Sequence, residues 1–185
     1  MTTAAVVLAA GGGSRFEGPT HKLLAPLRGR RVVDWSVDAA CDSGLDEVIV
    51  VVGAVTIDGL PADVTMVTNP DWAEGQVTSL RAAVAHARAQ GHSAIVVGLG
   101  DQPLIESEAW RRVAAASPSP VAVATYDGQR RHPVRLASEV WDHLPSSGDA
   151  GGRTLMAAEP DQVVEIPCPG TPIDIDTVED LKAWS

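Results

Sequence analysis

The sequence predicts an α/β fold, in which a mostly parallel central sheet carries helices on both faces. Several apolar runs show no alternation of polar and apolar residues, which is typical of strands that are buried on both faces. Helical candidates separate those runs, and strands that alternate with helices indicate a parallel sheet. The predicted strands are residues 5–10, 48–53, 64–68, 93–100 and 121–125, and the predicted helices are residues 32–41, 76–89 and 106–116.

The last third of the chain has a less regular pattern. Asp127-Gly128 is typical of a hairpin turn, and the pattern indicates a helix over 154–158 and a strand over 163–166. A short final helix is predicted to begin after a cap at Asp176 or Thr177. A chain of 185 residues is long enough for one well-packed domain and short for two, so we expect a single domain over 1–185.

The composition excludes several classes of partner. The formal net charge is −10, so bulk attraction to the phosphates of nucleic acid is not expected. No apolar run approaches the length of a membrane span, and no basic region precedes the first apolar run, so we expect neither a membrane nor a secretory signal. Cys41 and Cys168 lie far apart without metal-ligand spacing, which predicts packing thiols in a reducing, cytoplasmic location.

The segment after the first predicted strand is typical of a phosphate site. Gly11–Gly13 can adopt positive φ angles and let a ligand approach the main chain, and successive N–H groups in such a turn form an anion-binding concavity. Arg15 and Lys22 add charge that a triphosphate would neutralise. From the loop alone, a glycine-rich turn without a ligand is an equally good interpretation.

Two better-known phosphate motifs do not fit this loop. A P-loop needs Gly-Lys-Ser/Thr at its end, whereas Gly18 is followed by Pro19 and Thr20. The dinucleotide fingerprint needs glycine at its sixth position, where this chain has Phe16.

A carboxylate follows a second buried strand. Asp101, in Gly98-Leu99-Gly100-Asp101-Gln102-Pro103, should point into the crevice at the carboxyl ends of the strands, where such sheets bind ligands. Facing a cationic phosphate loop, it would hold Mg²⁺, which uses one or two carboxylates together with phosphate oxygens and water. Asp174 or Asp176 could supply the second carboxylate, because the two would share one side of a strand, although Asp176 could instead cap the last helix.

These motifs resemble a known family. Leu8-Ala9-Ala10-Gly11, then Ser14-Arg15 and Lys22, resembles the start of the nucleotidyltransferases that include molybdenum cofactor cytidylyltransferase, molybdopterin guanylyltransferase and methylerythritol phosphate cytidylyltransferase. Here Ser14 directly precedes Arg15, Phe16 replaces a methionine, and the stretch to Lys22 is longer. Gly100-Asp101-Gln102-Pro103 and Asp174-Ile175-Asp176-Thr177 resemble the family's metal motifs. The resemblance implies the three-layer, Rossmann-like fold of the nucleotide-diphospho-sugar transferases.

The resemblance also implies where the substrates bind. Asn69-Pro70, Gly75 and Ser79-Leu80 resemble the family's segment around the nucleobase, and Ala10 in place of glycine resembles the cytidylyl branch. Gly148-Asp149-Ala150-Gly151-Gly152-Arg153 and His132-Pro133-Val134 resemble the acceptor motifs, so His132, Asp149 and Arg153 are the implied acceptor-binding residues. The implied nucleotide-binding residues are Leu8, Ala9, Ala10, Gly11, Gly12, Gly13, Ser14, Asn69, Gly75, Ser79 and Gly100.

The expected reaction is Mg²⁺-dependent transfer of CMP from CTP to molybdopterin with release of pyrophosphate. Arg15 and the glycine loop would hold the β- and γ-phosphates, Lys22 would neutralise the α-phosphate, and Asp101 would bind the metal. A molybdoenzyme or its insertion chaperone is a further candidate partner. A phosphorylated sugar or polyol is an alternative acceptor, and a non-catalytic molybdenum cofactor carrier is an alternative of another class.

Overall fold

A computed structural model of the chain describes residues 1–116, 118–149, 151–158 and 160–185, with the backbone alone for 151–153 and 158. One sheet of seven strands forms the centre of the molecule, and two further short strands form a separate ribbon. The strands are β1 (Thr3–Ala9), β2 (Pro26–Leu27), β3 (Arg30–Arg31), β4 (Glu47–Val52), β5 (Val64–Thr68), β6 (Ala94–Leu99), β7 (Val121–Tyr126), β8 (Gln129–Ala137) and β9 (Val163–Pro167), and the helices are α1 (Val32–Cys41), α2 (Gln76–Ala89), α3 (Ser107–Ala114), α4 (Gly151–Ala158) and α5 (Val178–Trp184).

The strand order of the sheet is β5-β4-β1-β6-β8-β7-β9, and β2 and β3 form a separate small ribbon. Strand β8 runs antiparallel to both neighbours, and the other pairings in the sheet are parallel. Asp127 and Gly128 connect β7 to β8 with φ angles of 48° and 76°, the two left-handed residues that a type I′ turn requires. The predicted mostly parallel sheet is therefore confirmed, together with the predicted hairpin.

The helices cover both faces of the sheet and give three layers. On one face, α2 and α4 pack against the sheet through Leu80, Ala83 and Leu155. On the other face, α1 and α3 pack through Val37 and Trp110. The central strand β1 is buried on both sides, which explains its unbroken apolar sequence. Within the described ranges, no helix is long and apolar enough to cross a membrane.

A glutamate ties α2 to the end of the sheet opposite the glycine loop. Glu47, at the start of β4, lies 2.8 Å from Nε2 of His86 and 2.7 Å from Nε2 of His92. Burial alone would raise the pKa of Glu47, but hydrogen bonds from these histidines and from Thr65 outweigh it and hold the pKa below its ordinary value. The carboxylate form of Glu47 therefore stabilises the fold.

The stretch that contains Asp174 and Asp176 has an irregular backbone. Residues 173–176 do not form the strand that was the condition for the two aspartates to share one side, and the N–H of Ile175 donates instead to the carbonyl of Asp101 at 2.9 Å. The buried side chain of Ile175 still places Asp174 and Asp176 on the side away from it, toward the carboxyl end of the sheet.

Candidate active site

The glycine loop leaves β1 at the carboxyl edge of the sheet. Ala9 and Ala10 are buried, and Gly11 and Gly12 are exposed. Gly13 has a φ of 61°, and its carbonyl accepts a hydrogen bond from Phe16 N–H at 2.9 Å, which closes the turn. The backbone therefore stays accessible to an anion along the loop.

The side chain of His21 holds this loop in place through a hydrogen bond to its backbone. Its Nδ1 accepts the Leu23 N–H at 3.3 Å, so Nε2 carries the proton and donates to the Gly11 carbonyl at 3.0 Å. Burial lowers the pKa of His21, and the neighbouring charge of Lys22 lowers it further. A neutral His21 therefore positions the loop, a role that the sequence analysis did not assign.

Four charged side chains meet beside the loop. Nζ of Lys22 lies 2.6 Å from Oδ2 of Asp101 and 2.8 Å from Oδ1 of Asp176. Arg15 contacts the other oxygen of Asp176 at 3.0 Å with a side chain that is 74% exposed. Burial alone would lower the pKa of Lys22, but the two carboxylates outweigh it and raise the pKa above its ordinary value. Lys22 is therefore a fixed positive charge.

Asp176 is available to this cluster because another residue caps the final helix. The Thr177 hydroxyl accepts the Asp180 N–H, and the Asp180 carboxylate accepts the N–H of Thr177 in return, a capping box. Asp176 therefore keeps both carboxylate oxygens for Lys22 and Arg15.

Asp174 points to a neighbouring space. Its Oδ1 accepts a hydrogen bond from Nε2 of the buried Gln102 at 2.8 Å. Partial loss of hydration raises the pKa of Asp174, and the charges of Asp101 and Asp176 add to the rise. Of the two candidates for a second metal-binding carboxylate, Asp176 is the one that shares a cation with Asp101.

A cleft of about 520 Å³ brings most of the predicted nucleotide residues together. Trp72 also lines it, and the indole lies so close to Gly12 that a Cβ there would be 2.9 Å from the ring. Nothing in the local sequence of Trp72 indicates that its side chain meets a loop 60 positions away. Predicted residues that line the cleft are Leu8, Ala9, Ala10, Gly11, Gly12, Gly13, Ser14, Arg15, Lys22, Gly75, Ser79, Asp101, Asp149 and Asp176.

Two predicted nucleotide residues lie behind the cleft wall. Asn69 is buried, and its Nδ2 donates to the hydroxyls of Thr78 and Ser79 at 2.8 and 2.9 Å. Gly100 packs against β1: its N–H donates to the Leu8 carbonyl, and a Cβ would lie 3.2 Å from that of Ala9. Both residues support the wall of the cleft, and their contact with a nucleotide stays a prediction.

A second cleft of about 520 Å³ adjoins the first and shares four lining residues with it. His132, Asp149 and Asp174 stand among the residues around it, as do the cationic Arg130 and Arg131. The side chain of Arg153 lies outside the described part of the chain. The apolar residues that line the second cleft are Leu8, Val77, Leu80, Val97, Leu99, Val123, Val134, Leu136, Met156 and Ala157.

The two clefts meet at the start of α2. The Asp149 carboxylate accepts the Gln76 N–H at 3.0 Å, so it caps α2 from a distant loop. Gly148 accepts the Val77 N–H at 2.9 Å, and Gly75 lies against the same residue. Asp149 therefore lies where the two clefts meet and lines both of them.

The carboxylates fit a divalent cation that shares its coordination with a substrate. Asp101 and Asp176 already hold one cation between them, the ammonium group of Lys22. No group of three or more His, Cys, Asp or Glu side chains within the described residues could hold a metal by itself. Two carboxylates completed by phosphate oxygens and water are the donor set that Mg²⁺ accepts.

Comparison with known proteins agrees with this geometry. Residues 5–163 match the family model of the MobA-like NTP transferase domain. The chain is similar to the nicotine blue oxidoreductase of Paenarthrobacter nicotinovorans, at 33% identity over 95% of this chain and 93% of that protein. It is also similar to the purine catabolism protein PucB of Bacillus subtilis (strain 168), at 29% identity over 94% of this chain and 92% of that protein.

Solved structures share the fold over the full chain. A nucleotidyl transferase from Methanothermobacter thermautotroptrophicus superimposes with a TM-score of 0.83 at 27% identity, over 99% of this chain and 96% of that one. Rv0371c of Mycobacterium tuberculosis H37Rv, in complex with manganese, superimposes with a TM-score of 0.78 at 28% identity, over 100% and 98% of the two chains.

Proposed function

Because this chain belongs to the family of MobA-like NTP transferase domains and is therefore a nucleotidyltransferase, we propose that it transfers CMP from CTP to molybdopterin and releases pyrophosphate. The observation that carries the proposal is the pairing of two adjoining clefts. One holds the glycine loop, the cations Arg15 and Lys22 and the paired carboxylates of Asp101 and Asp176, and the other is largely apolar.

The first cleft suits a triphosphate. Backbone N–H groups of Gly11–Ser14 would bind the β- and γ-phosphates, and Arg15 is exposed enough to turn toward them. Lys22 would neutralise the α-phosphate as negative charge develops during attack by the acceptor phosphate. Catalysis would come from positioning and charge neutralisation, without a covalent enzyme intermediate.

Asp101 and Asp176 would hold the metal, for which we propose Mg²⁺. Bound there, the cation would neutralise charge on the phosphates of the nucleotide. The manganese complex of Rv0371c supports a divalent cation in a related protein. Asp174 would face the acceptor, since it lines the second cleft and not the first.

The choice of substrates rests on the walls of the clefts. Ala10 lines the first cleft, and alanine in place of glycine at this position resembles the cytidylyl branch of the family. The apolar floor of the second cleft suits the flat ring system of a pterin better than the hydroxyl groups of a sugar or polyol phosphate. His132 and Asp149, with Arg153, would contact the acceptor.

We further propose that residues 1–185 form one domain, because both large cores pack on a single sheet. The free thiols of Cys41 and Cys168 suit a reducing cytoplasm. The product would pass to a molybdoenzyme or its insertion chaperone.

A turnover assay over nucleotides and acceptors tests the proposal. We expect pyrophosphate release with CTP, Mg²⁺ and molybdopterin, and little with GTP, ATP or UTP. Preference for GTP would refute the base assignment, and turnover only with a sugar or polyol phosphate would replace the acceptor. Binding of molybdopterin without pyrophosphate release would support the carrier alternative.

A carboxylate substitution tests the metal site. We expect Asp101→Asn to lower turnover by about 100-fold or more, because the substitution removes a charge that holds the cation. Asp63→Asn, in an exposed loop, is the matched control and should keep full activity. Activity of Asp101→Asn at the level of the control would show that the metal binds elsewhere.

A further inference from the structure

We infer that Lys22 acts as the counter-ion of Asp101 and Asp176 in the free protein and prevents a divalent cation from binding to this pair. When a triphosphate binds, its phosphates compete for the Lys22 ammonium group and free the two carboxylates for the cation. The inference rests on the proposed function in one respect: the cleft takes a nucleotide together with a metal. It adds that metal and nucleotide bind as a mutually dependent pair, and it names the residue responsible.

The ion pairs between Asp101, Asp176, Lys22 and Arg15 are already formed in the free protein. Two carboxylates face two cations, and three of the four carboxylate oxygens contact a cation within 3.0 Å. Side-chain exposure is 12% for Lys22, 18% for Asp101 and 22% for Asp176, so little water screens the cluster. A metal ion that entered alone would have to displace the ammonium group, or bind beside it and be repelled.

The ammonium group of Lys22 contacts both carboxylates at once, at 2.6 and 2.8 Å. It can leave them without a large loss of energy only where another anion accepts its hydrogen bonds. Opening the pair therefore requires a new anion within reach of Lys22.

A triphosphate supplies that anion. Lys22 and Arg15 line the same cleft as the N–H groups of the glycine loop, so phosphates bound there compete with Asp101 and Asp176 for both cations. Each cation that turns to a phosphate frees carboxylate oxygens for the metal. By linkage, the factor by which nucleotide raises the metal affinity equals the factor by which metal raises the nucleotide affinity.

Metal binding without nucleotide tests the inference directly. The signal of free Mn²⁺ in electron paramagnetic resonance would be titrated with the wild-type protein, with Lys22→Met and with the control Lys182→Met, which changes the only other lysine of the chain. We expect Lys22→Met to bind Mn²⁺ about tenfold or more tightly than wild type, with Lys182→Met unchanged. Equal affinities in wild type and Lys22→Met would overturn the inference.

Nucleotide binding gives the reciprocal measurement. Calorimetry with a non-hydrolysable CTP analogue should show about tenfold or more tighter binding to the wild type in Mg²⁺ than in chelator, and a smaller gain for Lys22→Met. An equal gain in both proteins would also overturn the inference. Failure of the wild type to bind the analogue under either condition would instead refute the proposed function.

A measurement on the wild-type protein tests the same inference even if Lys22→Met does not fold. Because the chain has two lysines, ¹⁵N-lysine labelling gives two ammonium signals for nuclear magnetic resonance. The Lys22 signal should be sharp in the free protein, unchanged by Mg²⁺ alone and shifted by Mg²⁺ with the CTP analogue. A shift of full size with Mg²⁺ alone would contradict the closed pair.

Discussion

Replacing Asn69 with alanine should destabilise the protein and loosen the nucleotide cleft together. The Asn69 side chain is 3% exposed and makes three hydrogen bonds. Its Nδ2 donates to the hydroxyls of Thr78 and Ser79, and its Oδ1 accepts the Asp71 N–H at 3.0 Å. It therefore fixes both the segment before α2 and the first turn of α2.

The size of the effect follows from these partners. Each hydrogen bond contributes about 1 kcal/mol net, and a buried hydroxyl that loses its partner costs about 1–3 kcal/mol. The hydroxyl of Ser79 is buried, whereas Asp71 is exposed and its N–H can turn to water. We expect Asn69→Ala to lower the free energy of unfolding by about 2–4 kcal/mol. For a domain of this size that lowers the melting temperature by about 4–16 °C.

Urea denaturation measures the free energy of unfolding. Calorimetric titration with the CTP analogue measures how far the substitution weakens nucleotide binding. Gln90→Ala is the matched control, because Gln90 carries the same amide group in an exposed position at the end of α2. We expect Gln90→Ala to stay within about 0.5 kcal/mol of wild type. If Asn69→Ala also stays within that range, the hydrogen bonds of Asn69 do not carry the positioning role that we assign to them.

Two further predictions concern the ends of α2. The pKa of Glu47 is lowered in the folded state, so its contribution to stability is present above the ordinary glutamate pKa and is lost as the pH falls through the folded value. Below about pH 5, the free energy of unfolding should therefore depend less on pH in Glu47→Gln than in wild type. The same dependence on pH in both proteins would refute this prediction. Gly75 has a φ of 113°, and a Cβ there would lie 2.6 Å from the backbone of Gly148. Gly75→Ala should therefore lower the free energy of unfolding by about 1–3 kcal/mol and weaken CTP binding. Gly91→Ala is the control for backbone strain alone, because Gly91 has a φ of 77° with open space around it.

The elements of the fold could be predicted because their signals are local. The bounds of α1 and α2 agree with the predicted helices, and the unbroken apolar run before Gly11 identified β1, a strand that is buried on both faces of the sheet. Asp127-Gly128 was sufficient for the hairpin, since few residues other than asparagine, aspartate and glycine adopt two successive left-handed conformations.

The parts that could not be predicted depend on contacts between distant segments. The conformation of residues 173–176 depends on such a contact, because the N–H of Ile175 bonds to the loop at Asp101 and not to a neighbouring strand. Asn69 and Gly100 belong to motifs of the site, yet spacing along the chain cannot tell a residue that lines a cleft from one that supports its wall. His21 showed no signal in the sequence, because its partner is the backbone of Gly11.

One rigid element sets the relation between the two clefts. Helix α2 presents Ser79 to the first cleft and Val77 and Leu80 to the second, and both clefts touch Gln76 at its beginning. Asp149, which lines both clefts, caps this helix at Gln76. In-line transfer requires the acceptor phosphate and the α-phosphate to be held at a fixed separation and angle, and a single helix with its cap fixes both more tightly than two independent loops could. Gly75→Ala, at the start of α2, should therefore lower turnover by a larger factor than it weakens the binding of CTP, because the alignment of the two clefts is disturbed in addition to the wall of the first.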